Sequence, residues 1–233
     1  MQEFRLLSTS GILGYGFPEA SLAAGLERRP DMIGVDGGSV DPGPHYLGSG
    51  KPFCSTMAIR RDLRLMLRAA TTQRIPMLIG TCGGAGGEPH LKLVVDLVRE
   101  IAREEGLHFP MAVIHAEQNK ADVARWTREG RTRPLAHRPA LDPATIERTE
   151  RIVGMMGPEP FVKALDDGAQ IVLAGRSSDP APWAAAAMRA QLPPAQSWYA
   201  GKMLECGATA STTKPSSWLA ISPMGSRSPM TPS

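Results

Sequence analysis

The chain has 233 residues, of which 42% are hydrophobic and 21% charged, with a formal net charge of +3. Those are ordinary globular values, so most of the chain folds and buries a sizeable core in one large domain or two small ones. The mild positive charge is dispersed, as in Arg99–Glu105, where Arg and Glu share one helical stretch; no basic stripe interleaved with aromatics points to nucleic acid. No apolar run approaches the roughly 20 residues of a membrane span. The opening Met1–Arg5 lacks the basic-then-apolar order of a signal peptide. Cys54, Cys82 and Cys206 are odd in number and widely separated. That spacing argues against disulfides or structural zinc and for reduced thiols in the cytoplasm.

Short β-type runs alternate with longer helical patterns. Glu3–Ser8 reads as a first strand, followed by the Gly-punctuated loop Gly11–Gly16. Pro18 opens a short helix through about Arg28. Met32–Asp36 is the second strand, and Gly37–Pro52 is too rich in Gly and Pro for regular structure. Met57, Leu63, Met66, Leu67 and Ala70 recur at helical spacing between Ser55 and about Thr72. Pro76–Ile79 is a buried third strand, Gly80–Gly87 a Gly-rich loop, and His90–Glu105 a helix with Leu91, Val94, Val95, Val98 and Ile101 on one side.

Met111–Ile114 is the fourth strand, and Gln118–Gly130 a helix stopped by its glycine. Asp142–Pro143 starts a short helix to about Arg151. Ile152–Met155 reads as a fifth strand, Pro158–Asp167 as a helix, Gln170–Ala174 as a sixth strand, and Ala181–Gln191 and Trp198–Cys206 as helices. This βαβα order predicts an α/β fold: a doubly wound, mainly parallel, Rossmann-like sheet with helices on both faces. Residues 1–212 form that domain. Residues 213–233, rich in Ser and Pro without periodicity, read as an irregular or disordered tail.

Ligands of open parallel sheets bind beyond the carboxyl ends of the strands. Those ends carry the unusual loops. In GTCGGAGGEPH (Gly80–His90) the glycines expose backbone N–H groups ahead of a helix start, a ready site for phosphate or carboxylate. Thr81, Gly83, Gly84, Gly86 and Gly87 are its candidate substrate-binding residues. The competing reading is a tight strand-to-helix turn needing positive φ. Neither Gly50–Lys51 nor Gly201–Lys202 is followed by Ser or Thr, so no Walker loop is present, and Gly14–Tyr15–Gly16 with Asp36 downstream lacks the last Gly of a dinucleotide fingerprint. Asp36, Ser39 and Asp41 share one loop, where they could hold a hard metal ion, orient substrate hydroxyls, act as general base, or simply cap turns.

His115 and Glu117, just past the fourth strand, are an acid–base candidate pair. Arg176, Ser177 and Asp179 follow the sixth strand. Arg176 offers a planar fork for carboxylate or phosphate, and Asp179 suits either the site or a helix cap. Cys82 fits tight packing better than a nucleophile's role. Glu205 sits at a helix C-terminus, where a carboxylate is electrostatically misplaced and a site role accounts for it.

The segments IGVDGGSVDPGPHYLGSG (Ile33–Gly50), LIGTCGGAGGEPHL (Leu78–Leu91), AVIHAEQNK (Ala112–Lys120), VLAGRSSDPA (Val172–Ala181) and AGKMLECGA (Ala200–Ala208) resemble the acyclic terpene utilisation (AtuA-like) family. The resemblance implies a Rossmann-like domain in bacterial catabolism of branched or terpenoid acids, at the acyl-CoA stage. It implies no assigned residue roles. It also implies a longer C-terminal region, so this chain reads as shortened after Lys214–Pro215. The combined expectation is a catabolic enzyme binding a small anionic substrate, a carboxylate or acyl-CoA, as a lyase or hydratase with Asp36, His115 and Glu117 as acid–base groups. The alternatives are a non-catalytic acyl-CoA-binding or carboxylate-binding subunit of a larger complex and an inactive truncated product. The residues specify no cofactor, and a homo-oligomer stands open.

Overall fold

A computed structural model describes residues 3–210 and 220–224. In chain order the elements are β1 (Phe4–Ser8), α1 (Glu19–Glu27), β2 (Met32–Gly38), α2 (His45–Ser49), α3 (Thr56–Gln73), β3 (Met77–Gly84), α4 (Glu88–Glu105), β4 (Met111–Ile114) and α5 (Lys120–Arg128). They continue with α6 (Pro143–Arg148), α7 (Glu159–Asp166), β5 (Ile171–Ala174), α8 (Ala181–Arg189), α9 (Pro194–Leu204), a 3-10 turn (Gly207–Ala210) and β6 (Ala220–Met224). The sheet order is β4-β5-β3-β2-β1-β6, with β1 to β5 parallel and β6 antiparallel to β1. This is the doubly wound α/β fold that the alternation of periods predicts.

Period-2 alternation divides each strand between two apolar layers. Leu7, Ile33, Val35, Met77, Ile79, Ile171 and Leu173 meet α1, α3 and α4 on one face. Leu6, Met32, Leu78, Val172 and Ala174 meet α7, α8 and α9 on the other. Because parallel crossovers are right-handed, β1, β2 and β3 step in one direction with their helices on one face. The step back from β4 to β5 then places the later helices on the opposite face. Gly34 lies in the middle of β2 because the Trp183 indole crosses it: a Cβ there would be 2.7 Å from Trp183 Nε1.

Several elements differ from the sequence reading. Gly37–Gly38 and Gly80–Gly84 continue β2 and β3 instead of leaving them as loops. A Cβ on Gly37 would lie 2.5 Å from Gly80 O, and one on Gly38 2.0 Å from Gly84 O, so two backbones meet where no side chain fits. The loop Gly37–Pro52 contains α2. Ile152–Met155 is not a strand: it lies among loops past the sheet and makes one isolated bridge, Val153 with Glu117, next to a second between Met156 and Ser177. Within residues 213–233, Ala220–Met224 pairs along the whole of β1, correcting the irregular reading there. Pro223 is tolerated because β6 is an edge strand. The rest of that tail lies outside the described residues. Among the described residues, no helix is long and apolar enough to cross a membrane.

Candidate active site

The carboxyl ends of β3 and β5 form the topological switch point, since α4 leaves β3 toward one face and α8 leaves β5 toward the other. That crevice is closed by backbone. The Arg176 N–H donates to Gly86 O at 3.1 Å, and a Cβ on Gly86 would lie 2.3 Å from Arg176 N. Thr81 joins the same seal in a left-handed conformation, φ 46°, rare for a β-branched residue. Its hydroxyl bonds Ser177 O at 3.2 Å and accepts from Ser177 N at 3.3 Å. Strain held by surrounding structure in this way gathers at functional sites.

The open cavity, about 980 Å³, lies next to this seal, beyond the ends of β1 and β2. Its apolar wall comes from the segment after β1, with Ile12, Tyr15, Phe17 and Pro18, and from Val40. Its polar wall carries Asp36, Ser39, Asp41, Asp179 and Glu205. Three regions distant in the chain thus deliver carboxylates to one space.

Asp36, 4% exposed at the end of β2, accepts from Gly38 N at 3.2 Å. Burial pushes its carboxyl well above the usual carboxylate range, and the neighbouring Asp179 and Glu205 charges add to that; the Gly38 N–H and Arg176 oppose it. Asp179 Oδ1 pairs with Arg176 Nη2 at 3.2 Å. It does not cap α8, whose N-cap is Pro180. Glu205, also 4% exposed, accepts from Lys202 Nζ through Oε1, while its buried Oε2 has no hydrogen-bond partner among the described residues. Ser39 Oγ accepts from Asp41 N at 3.2 Å, a local turn on the cavity wall.

The other sequence candidates stand elsewhere. Arg176 is buried beneath the polar wall, bonded to Asp179 and, at 3.4 Å, to Thr81 Oγ1. Gly83 and Gly84 leave room for His90 and Phe53, since Cβ atoms there would meet those residues at 2.8 and 2.5 Å. Glu117 Oε2 accepts from Glu88 N at 2.8 Å, so the α4 N-terminus beside Gly87 is occupied by the protein's own carboxylate. The His115 side chain, 65% exposed, pairs through Nδ1 with Glu88 Oε1 at 2.8 Å. His115 and Glu117 are thus neighbours at the head of α4, and neither lines the cavity. Burial pushes the Cys82 thiol up to about 12, which leaves it a packing residue.

The segment that carries most of this polar chemistry, from α3 through β5 to Glu205 and on to β6, coincides with one family match: residues 57–225 match "Acyclic terpene utilisation family protein AtuA". The chain belongs to that family. Membership assigns it a catabolic role in acyclic terpene utilisation. The matched range includes Arg176, Asp179 and Glu205 but begins after Asp36, Ser39 and Asp41, so it leaves the Ile33–Gly50 resemblance outside. No curated protein and no solved structure matches the chain.

Sequence reasoning missed Asp62, Arg61, Tyr15 and Lys202. Asp62 is fully buried, and its Oδ2 accepts from both Gly14 N and Gly16 N at 3.0 Å, clamping the segment that forms the apolar wall. Arg61 bonds Asp62 Oδ1 at 2.9 Å and Phe17 O at 2.8 Å. A signal for Asp62 existed: it falls between Ile59, Leu63 and Met66 on the apolar stripe of α3, where a charge requires a partner. Lys202 and Glu205 stand one turn apart, a spacing that pairs side chains.

Proposed function

We propose that this protein is a catabolic enzyme of the cytoplasm that binds the acyl-CoA thioester of a branched or terpenoid acid in the cavity. It acts there as a lyase or hydratase, with Asp36 as its acid–base group. The observation that carries this reading is the Asp36 carboxyl, buried at the wall of an open cavity beside Asp179 and Glu205, where burial pushes its pKa up. A carboxyl whose proton is retained by burial, with other carboxylates on the same wall, supplies a donor and a base in one site. For hydration, Glu205 or Asp179 takes a proton from water as its oxygen bonds the β-carbon. Asp36 gives its proton to the α-carbon.

With Asp36 holding its proton, the cavity lining carries Asp41, Asp179 and Glu205 against Arg61 and Lys202. That balance repels a free carboxylate, so a thioester, which presents the same acyl chain with a neutral head, is the better substrate. Arg61 and Lys202, each paired with a carboxylate but with its side chain exposed at the cavity, are the cations that would meet the phosphates of the carrier. The test is turnover by the purified full chain of branched α,β-unsaturated acyl-CoA thioesters, read as loss of conjugated-thioester absorbance, with and without Asp36→Asn. Turnover that Asp36→Asn abolishes supports the reading. Thioester binding without turnover makes the chain a non-catalytic acyl-CoA-binding subunit, and no binding of any thioester overturns the substrate class.

A further inference from the structure

We infer that the protein forms a two-fold symmetric dimer in which β4 pairs antiparallel with β4 of a second copy of this chain. Among the described residues the sheet ends on one side at β6, which carries Pro223, and on the other at β4. Met111, Ala112, Val113 and Ile114 all line one groove of about 410 Å³. Successive residues of a strand point to opposite faces, so a groove touching all of them runs along the open edge of the strand. Its far wall is α7, through Pro160, Lys163, Ala164 and the following Asp167.

The hydrogen-bond pattern shows which groups face outward. Pro110 O accepts from Ile171 N and Ile114 O from Gly175 N, both toward β5. In a parallel ladder alternate residues direct their N–H and C=O to the same neighbour. Ala112 therefore also faces β5, and Met111 and Val113 turn their N–H and C=O away from it. Native edges are usually kept short or guarded by charge, proline or a bulge. Here Pro110 precedes the strand and four residues make it short, but within Met111–Ile114 no charge, proline or bulge blocks pairing.

A second copy fits this edge because the rim is self-complementary. Antiparallel strands in one sheet are related by a two-fold axis perpendicular to it, which brings the two α7 helices side by side on one face, running in opposite directions. Lys163 and Asp167, one turn apart and now paired within the helix at 2.7 Å, then meet Asp167 and Lys163 of the other copy. Centred on Ala112, the register sets Met111 opposite Val113 of the second copy, and each such pair exchanges two hydrogen bonds.

Sedimentation velocity of the full chain over a concentration series tests this. The expected result is a reversible dimer. Val113→Pro removes an outward N–H without touching the β5 ladder, and it should weaken dimerisation by about tenfold to hundredfold with an unchanged circular-dichroism spectrum. Lys163→Asp should weaken it as well, and adding Asp167→Lys should restore it, since the double exchange recovers both the intrahelical and the intersubunit pairs. The rescue keeps the test decisive if Val113→Pro fails to fold. A monomer at every concentration, or a dimer indifferent to both Val113→Pro and Lys163→Asp, overturns the proposal.

Discussion

Glu117 and Glu88 are joined by a hydrogen bond of 2.8 Å from the first backbone N–H of α4 to the Glu117 carboxylate. The anion that favours a helix N-terminus is thus supplied from the segment after β4. Glu117→Ala should lower stability by about 0.5–2 kcal/mol, the usual cost of a lost cap. Glu117→Gln, which keeps the acceptor and loses the charge, should cost less. Inorganic phosphate should then raise the melting temperature of Glu117→Ala more than that of the native chain. Equal shifts would show that the helix end is not held by that carboxylate.

Asp36 makes stability depend on pH with a definite sign. Its folded pKa is raised, so between the unfolded carboxylate value, about 3.9, and that raised value the native state holds a proton the unfolded state has released. Stability therefore falls as pH rises through that window. Asp36→Asn should melt higher than the native chain at neutral pH, with the gap closing as pH drops toward 4. Melting curves across pH that stay parallel for the two proteins would remove this role.

Gly86 and Gly43 both have left-handed φ, 69° and 81°, but only Gly86 is pressed against another backbone. Gly43→Ala should cost about 1–2 kcal/mol from conformation alone. Gly86→Ala adds a Cβ at 2.3 Å from Arg176 N, so it should cost clearly more and disturb the Arg176–Asp179 pair. Similar losses in chemical denaturation would mean that the β3–β5 seam has slack.

β6 covers the full length of β1, from Phe4 opposite Met224 to Ser8 opposite Ala220. A chain ending after residue 210 leaves β1 as a bare edge above Leu6 and Leu7, both fully buried. Its melting temperature should be several degrees lower than that of the full chain, since about 1 kcal/mol shifts a chain of this size by roughly 2–4 °C. An unchanged melting point would mean that β6 contributes nothing to β1.

Local periodicity carried much of this molecule. The apolar pairs Leu6–Leu7, Met32–Ile33 and Val172–Leu173, each split between the two faces, announced buried parallel strands, and the stripe on α4 announced its packing face. The unusual loops were legible as strand ends on the ligand side. What stayed hidden is set by pairing between residues far apart in the chain. β5 enters between β3 and β4, and that insertion brings Arg176 against Gly86 and closes the crevice where the Gly-rich segment looked open to an anion. The same arrangement sends Asp179 and Glu205 to the cavity with Asp36, and His115 and Glu117 to the head of α4. Gly38 and Gly84 read as loop because glycine has no strand preference of its own. Their strand conformation comes from a backbone approach across β2 and β3 too close for any side chain, a requirement neither segment carries alone.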